Sequence, residues 1–278
     1  MNTIILPDQL NLESSSSVKV YDYYNSQEIC RQQIILNQNI FSFLMEGTKE
    51  VIFDNSSLAI DNSKFLMMKS GNCLMTEKLS DVNNYRSVVF FFSNEILLKF
   101  IRKLELQKTE LPNPPSVLAF TYDAFIQRFV NSLLDISTLS HPMKIKLLEV
   151  KFEEIMLYLI EIYGTGFLHS LAANSDDSTQ KFIRTIENNQ YSKLTLKELA
   201  FLCDRSVSTF KREFEKHYAE SPIKWFQNKR LEYAYYLMTQ EQKSPSEIYF
   251  GAGYENLSSF IQAYKSKYGT TPKHHHKI

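Results

Sequence analysis

One block of sequence near the C-terminus occurs twice, and no other feature restricts the fold as much. STFKREFEKHYAESP, from Ser208 to Pro222, lies over SSFIQAYKSKYGTTP, from Ser258 to Pro272, at an offset of 50. Phe210 falls on Phe260, Phe214 on Tyr264, Tyr218 on Tyr268 and Pro222 on Pro272. Upstream the offset is 49: Thr195 falls on Ser244, Glu198 on Glu247 and Leu199 on Ile248, so the second turn is one residue longer, around Gly253-Tyr254. Each copy opens on a capping box, Thr195-x-x-Glu198 or Ser244-x-x-Glu247, in which hydroxyl and carboxylate satisfy the first free amides of a helix. A short capped helix, a tight turn and a longer helix make a helix-turn-helix, here present twice. The signals predict six helices: Gln180–Asn188, Leu196–Cys203, Val207–Tyr218, Pro222–Met238, Pro245–Ala252 and Leu257–Tyr268. Gly269 followed by Pro272 reads as a helix stop. The connecting helix, at about 1.5 Å per residue, is roughly 24 Å long. That is long enough to hold two recognition helices near the ~34 Å repeat of a duplex.

The charge distribution agrees. The chain carries 31 basic and 31 acidic residues, but residues 174–278 hold 16 basic against 12 acidic, a net of +4, and residues 1–173 a net of −4. One half suits phosphates and the other does not. Cys30, Cys73 and Cys203 form no CxxC pair, which reads as buried thiols in a reducing compartment. The N-terminus has no signal-peptide pattern and no run approaches a membrane span, so a cytoplasmic protein is expected.

Residues 18–92 alternate short apolar runs with turn formers. The expected strands are Val18–Tyr24, Gln32–Leu36, Phe41–Met45, Glu50–Phe53, Leu58–Ile60, Phe65–Met68, Cys73–Glu77 and Ser87–Phe92, forming a small antiparallel barrel or sandwich. Helices follow at Asn94–Leu104, with Asn94 as a possible cap, at Asp123–Ile136 and at Pro142–Tyr163. The last carries an apolar stripe through Ile145, Leu148, Phe152 and Ile155, which suits either a core face or a dimer helix. Gly164-Thr-Gly166 and the polar segment from Ala172 to Ser178 read as a linker. The chain therefore divides into 1–173 and 174–278, an α+β two-domain protein.

The C-terminal residues resemble the AraC/XylS family of transcription regulators over the whole module. Ala200 with Ser206-Val-Ser-Thr-Phe210-Lys-Arg212-Glu-Phe214 fits the first unit's pattern, and Arg230, Ala234 and Leu237 fit the linker pattern. Ile248, Gly253-Tyr254, Ser258, Phe260, Tyr264 and Tyr268-Gly-Thr-Thr-Pro272 fit the second unit. Tyr249 departs, since the family has alanine there, and Gln262 replaces the family's arginine. Helix geometry and these positions together put Ser208, Lys211 and Arg212 of the first unit, and Ser258, Ile261 and Gln262 of the second, toward bases. Arg212 suits guanine O6/N7, Gln262 suits adenine and Ile261 a thymine methyl. Lys224, Lys229 and Lys265 are candidates for phosphates, and Arg230 for supporting the linker helix.

The resemblance implies a cupin-like barrel at the N-terminus that binds an effector, dimerises, or both. Residues 1–173 contain only His141 and His169, without His-x-His, so no metal, cofactor or catalytic site is expected. His274-His-His276 reads as a solvated tail. Phe43-Leu-Met-Glu-Gly47, Pro114-Pro-Ser-Val-Leu-Ala-Phe120 and Lys144-Ile-Lys-Leu-Leu-Glu149 resemble the branch of type III secretion activators, whose members answer to a partner protein. The implied function is a sequence-specific DNA-binding regulator, an activator by family habit, meeting double-stranded DNA and RNA polymerase as a homodimer under a ligand or regulatory protein. A low-specificity architectural DNA binder and a small-molecule sensor remain the alternatives.

Overall fold

The structure, a computed structural model, describes residues 3–10, 12, 16–104, 114–139, 141–172 and 178–275. It comprises two units, Met1–Ser178 and Thr179–Ile278. Most of the expected linker, 173–177, lies outside the described residues, as does His276.

The first unit contains β1 (Ile4–Leu6), β2 (Val18–Asn25), β3 (Ile29–Leu36), β4 (Asn39–Glu46), β5 (Thr48–Ile52), β6 (Ser57–Ile60), β7 (Lys64–Met68), β8 (Gly71–Lys78) and β9 (Tyr85–Phe92). Then come α1 (Asn94–Lys103), β10 (Val117–Thr121), α2 (Ala124–Ser137), α3 (His141–Tyr163) and α4 (Gly166–Ala172). The strands do not close into a barrel. They form two five-stranded sheets, β1-β3-β8-β5-β6 and β10-β7-β4-β9-β2. All pairs are antiparallel except β1 with β3.

The second sheet is buried on both faces, which explains the continuous apolar run Val88–Phe92. Val88, Phe90 and Phe92 face the helices together with Phe129 and Phe152. Val89 and Phe91 face the first sheet together with Ile34 and Met75. Alternation is lost in such a strand because both sides are core. Gly47 carries the chain from β4 to β5 at φ +88°, and a Cβ there would come within 2.4 Å of the Lys78 carbonyl oxygen. Only glycine fits that crossing.

Three local expectations are corrected. Ser93, not Asn94, caps α1, accepting from the Ile96 amide at 3.4 Å; Asn94 Oδ1 instead accepts from Asn39 at 2.8 Å. Gly166 and Ala172, both read as linker, are instead the two ends of a helix that buries Phe167, Leu168 and Leu171 in the core. Cys73 and Cys203 are buried, but Cys30 is exposed. No described helix is long and apolar enough to cross a membrane.

The second unit contains α5 (Ser178–Asn188), α6 (Leu196–Leu202), α7 (Val207–Tyr218), α8 (Pro222–Thr239), α9 (Pro245–Ile248), α10 (Leu257–Tyr268) and α11 (Pro272–His275). The central helix α8 serves two cores. Phe226 packs on Phe214, while Leu231, Ala234 and Met238 join Ile248, Ala252, Phe260 and Tyr264. Helix α10 stops at Gly269 as expected, and Pro272 then starts a further short helix. Pro222, its counterpart in the repeat, does the same, because the missing amide of proline is no loss in a first turn.

Candidate nucleic-acid interface

Each recognition helix is aimed by the capped helix and turn before it. The Thr195 amide donates to Glu198 Oε2 at 2.6 Å, and the Glu198 amide to Thr195 Oγ1 at 3.2 Å. In the second copy the Ser244 amide donates to Glu247 Oε2 at 2.7 Å. Both turns pass through positive φ, at Asp204 (58°) and Gly253 (86°). Both are closed by the same backbone bond: Arg205 N to Ala200 O at 2.9 Å, and Tyr254 N to Tyr249 O at 3.1 Å. Tyr249 thus keeps the backbone plan, and its side chain lies half-buried against the second core. The helix α9 is shorter than expected, and residues 249–253 run as turns.

The recognition helices begin on Ser206 and Asn256, whose side chains accept from Thr209 N at 3.2 Å and Ser259 N at 2.8 Å. On α7, Phe210 and Phe214 are buried, and Ser208, Lys211 and Arg212 lie on the exposed side. Neither Lys211 nor Arg212 has a hydrogen bond or ion pair among the described residues. Their charges are available to a ligand. On α10, Phe260 and Tyr264 are buried, Ser258 and Gln262 are exposed, and Ile261 is half-buried against the second core. Ile261 therefore offers only part of its side chain outward.

The candidate phosphate lysines differ. Lys265 is exposed. Lys224 is exposed but lies 3.1 Å from Glu220. Lys229 is half-buried, 3.4 Å from Glu232 and above the Trp225 ring, so it serves its own helix first. Lys267 was not anticipated: its ammonium donates to Asn228 O at 2.8 Å and Glu232 Oε1 at 2.9 Å, tying α10 to α8. Burial works to raise the Glu232 carboxyl pKa, but Lys267 and Lys229 outweigh it and hold the pKa below its ordinary value. Arg230 donates to Ser192 O at 3.3 Å and packs against Gly253, where a Cβ would stand 3.1 Å from its Nε. Its linker role is structural. His275 is no solvated tail residue: its Nδ1 lies 2.8 Å from the Tyr264 hydroxyl, among the rings of Tyr235 and Tyr268.

The stripe proposed for dimerisation also needs correction. Leu148, Phe152 and Ile155 are buried in the core of their own unit, where Phe152 meets Phe92 at 5.1 Å between ring centroids. Ile145 is half-buried. Periodicity cannot distinguish a stripe facing its own core from one facing a partner. Among the apolar residues left exposed on α3 are Met143 and, seven and fourteen residues on, Val150 and Leu157, with Ile162 and Tyr163 at its C-terminal end.

Comparison with known proteins now adds to this geometry. Residues 39–171 match the ExsA N-terminal regulatory domain, and residues 199–277 match a helix-turn-helix domain family. The chain is 23% identical to the HTH-type transcriptional regulator ExsA of Pseudomonas aeruginosa over 82% of each chain. It is 26% identical to the virulence regulon transcriptional activator VirF of Yersinia enterocolitica over 65% of this chain and 67% of that one. A crystal structure of apo ToxT from Vibrio cholerae covers 96% of this chain and 99% of its own, at 13% identity and a TM-score of 0.43. The two domain matches fall one on each of the units described, and with the ExsA and VirF relatives they support an AraC/XylS-type transcription regulator of the type III secretion activator branch.

Proposed function

We propose that this protein activates transcription as a homodimer on DNA, contacting RNA polymerase there, and reads bases chiefly through α7. Its N-terminal unit is the point of control for a ligand or a partner protein. The observation that carries the reading is the contrast between the recognition helices. Helix α7 presents Lys211 and Arg212 unpaired, whereas α10 presents half-buried Ile261 and neutral Gln262 at the matching positions. An arginine fork discriminates guanine strongly, and a bidentate pair is worth about 1–3 kcal/mol. Lys265 and Lys224 then hold phosphates and fix register.

The test begins with a site selected by the full-length protein from a random duplex pool. In band shifts at fixed salt, Arg212→Ala is expected to weaken that site by about tenfold or more. Gln262→Ala is expected to cost less. The reverse order overturns the ranking. Equal affinity for selected and random duplexes overturns sequence-specific regulation in favour of an architectural role. Lys265→Ala should weaken all duplexes alike and lower the salt slope by about 1.

A further inference from the structure

Lys267 stands near the end of α10, and its ammonium reaches two acceptors on α8, Asn228 O at 2.8 Å and Glu232 Oε1 at 2.9 Å. Residues at this i, i+4 spacing lie one turn apart on one face of a helix. Asn228 and Lys267 line an open groove between α8 and α10 together with Ser259 and Gln262. Leu231, Ala234 and Met238 already hold α10 against α8 through the second core. Apolar burial is non-directional, so it resists separation better than sliding. Hydrogen bonds are directional, and two of them anchored a turn apart oppose both slide and rotation. Arg230 acts from the far side of α8, where it donates to Ser192 O and packs against Gly253 of the second turn. In the first unit the repeat places His217 where the second has Lys267, and its ring packs on Phe182 of α5 instead.

We propose that Lys267 is a positioning residue that sets the spacing between the two half-sites read by one copy. Helix α8 contributes Phe226 to the first core and Leu231 to the second. Whatever fixes α10 on α8 therefore fixes it relative to α7. The base-reading position Gln262 lies five residues before Lys267 on the same helix, about 7.5 Å along its axis. Successive base pairs are about 3.4 Å apart. A slide of α10 by that distance moves the second half-site by one base pair, so the tie that prevents the slide selects the spacing. The Lys267 side chain is only 20% exposed and already holds a carboxylate, which distinguishes it from the exposed phosphate candidate Lys265. The half-site role rests on the regulatory reading above; the tie itself does not.

The test is a set of band shifts with the full-length protein across a salt series. The probes are the selected duplex and two copies of it, with one base pair inserted or deleted between the half-sites that a hydroxyl-radical footprint assigns to one copy. The unaltered protein is expected to prefer the selected spacing by about tenfold. Lys267→Met keeps the apolar stem and removes the donor. With its circular dichroism unchanged, it should bind all three spacings within about threefold of one another. Glu232→Gln keeps the Asn228 bond and should fall between the two, and it decides the matter if Lys267→Met does not fold. A spacing preference unchanged in the folded variants overturns the proposal, as does equal binding of the unaltered protein at all three spacings. An equal loss at every spacing in Lys267→Met, with the salt slope lowered by about 1, marks a phosphate contact and overturns it too. A comparison with random duplex keeps the readings apart. Failure of the unaltered protein to prefer the selected duplex removes the regulatory reading. A kept sequence preference with unchanged spacing preference in the variants removes the positioning role alone.

Discussion

At the residue scale, the repeat supplies its own control experiment. Ala219 and Gly269 occupy the same position after their helices, and both have left-handed backbones, at φ 52° and 73°. Glycine takes that conformation freely, whereas an L-residue is strained by about 1 kcal/mol. Ala219→Gly should therefore stabilise the protein by up to about 1 kcal/mol, and Gly269→Ala should destabilise it by a similar amount. A Cβ at Gly269 would meet nothing within 4 Å, so the second effect isolates the backbone. Urea unfolding of both variants checks this, and opposite signs are the expected result. The turn glycine at 253 was legible in the repeat because positive φ and the approach of Arg230 both require it. The buried Lys49–Glu77 ion pair of the first sheet was not. The expected strand began at Glu50, two residues late, which hid that Lys49 shares the inward face with buried Val51. A lysine in an apolar slot of an alternating strand was the signal available.

Among the elements, α3 has two apolar faces that the sequence pattern merges. Leu148→Asp places a charge in the core and should unfold the N-terminal unit, so it cannot report on dimerisation. Val150 and Leu157 are 62% and 47% exposed and two turns apart, the seven-residue spacing of a helix seam. If a second copy docks there, Val150→Asp combined with Leu157→Asp should leave circular dichroism unchanged and raise the dimer dissociation constant by about tenfold or more. Unchanged sedimentation of the folded double variant would place the dimer contact elsewhere. The long elements were read correctly because many periodic residues vote together. All eight expected strands have counterparts, and so do the six C-terminal helices. The missed elements are short. Strand β1 has three residues, α11 has four, and β10 follows a proline-rich stretch whose pairing with β7 only the tertiary fold supplies. The sheet arrangement was beyond reach for a related reason. Barrel and sandwich share the same alternating strands, and what separates them here is the burial of the second sheet on both faces.

For the whole molecule, the unequal recognition helices set a limit on what one copy can do. A bidentate arginine pair contributes about 1–3 kcal/mol of discrimination. Specific sites stand about 4–10 kcal/mol above nonspecific DNA. One copy with a single unpaired arginine fork on α7 and neutral Gln262 on α10 falls near the bottom of that range. A second copy brings a second α7 and nearly doubles the sequence-dependent part, while phosphate contacts rise for every duplex alike. If the N-terminal unit pairs copies, as proposed above, it acts on specificity without touching a base. Removing residues 1–173 should lower the ratio of selected-site to random-duplex affinity by about tenfold or more. Fusing residues 174–278 to a dimeric coiled coil should recover most of that ratio, since effective concentration replaces the lost contact. Band shifts of the full chain, the fragment and the fusion on one selected duplex decide the matter. A lone fragment that keeps the full ratio would mean that one copy reads the site by itself, and control through pairing would be excluded.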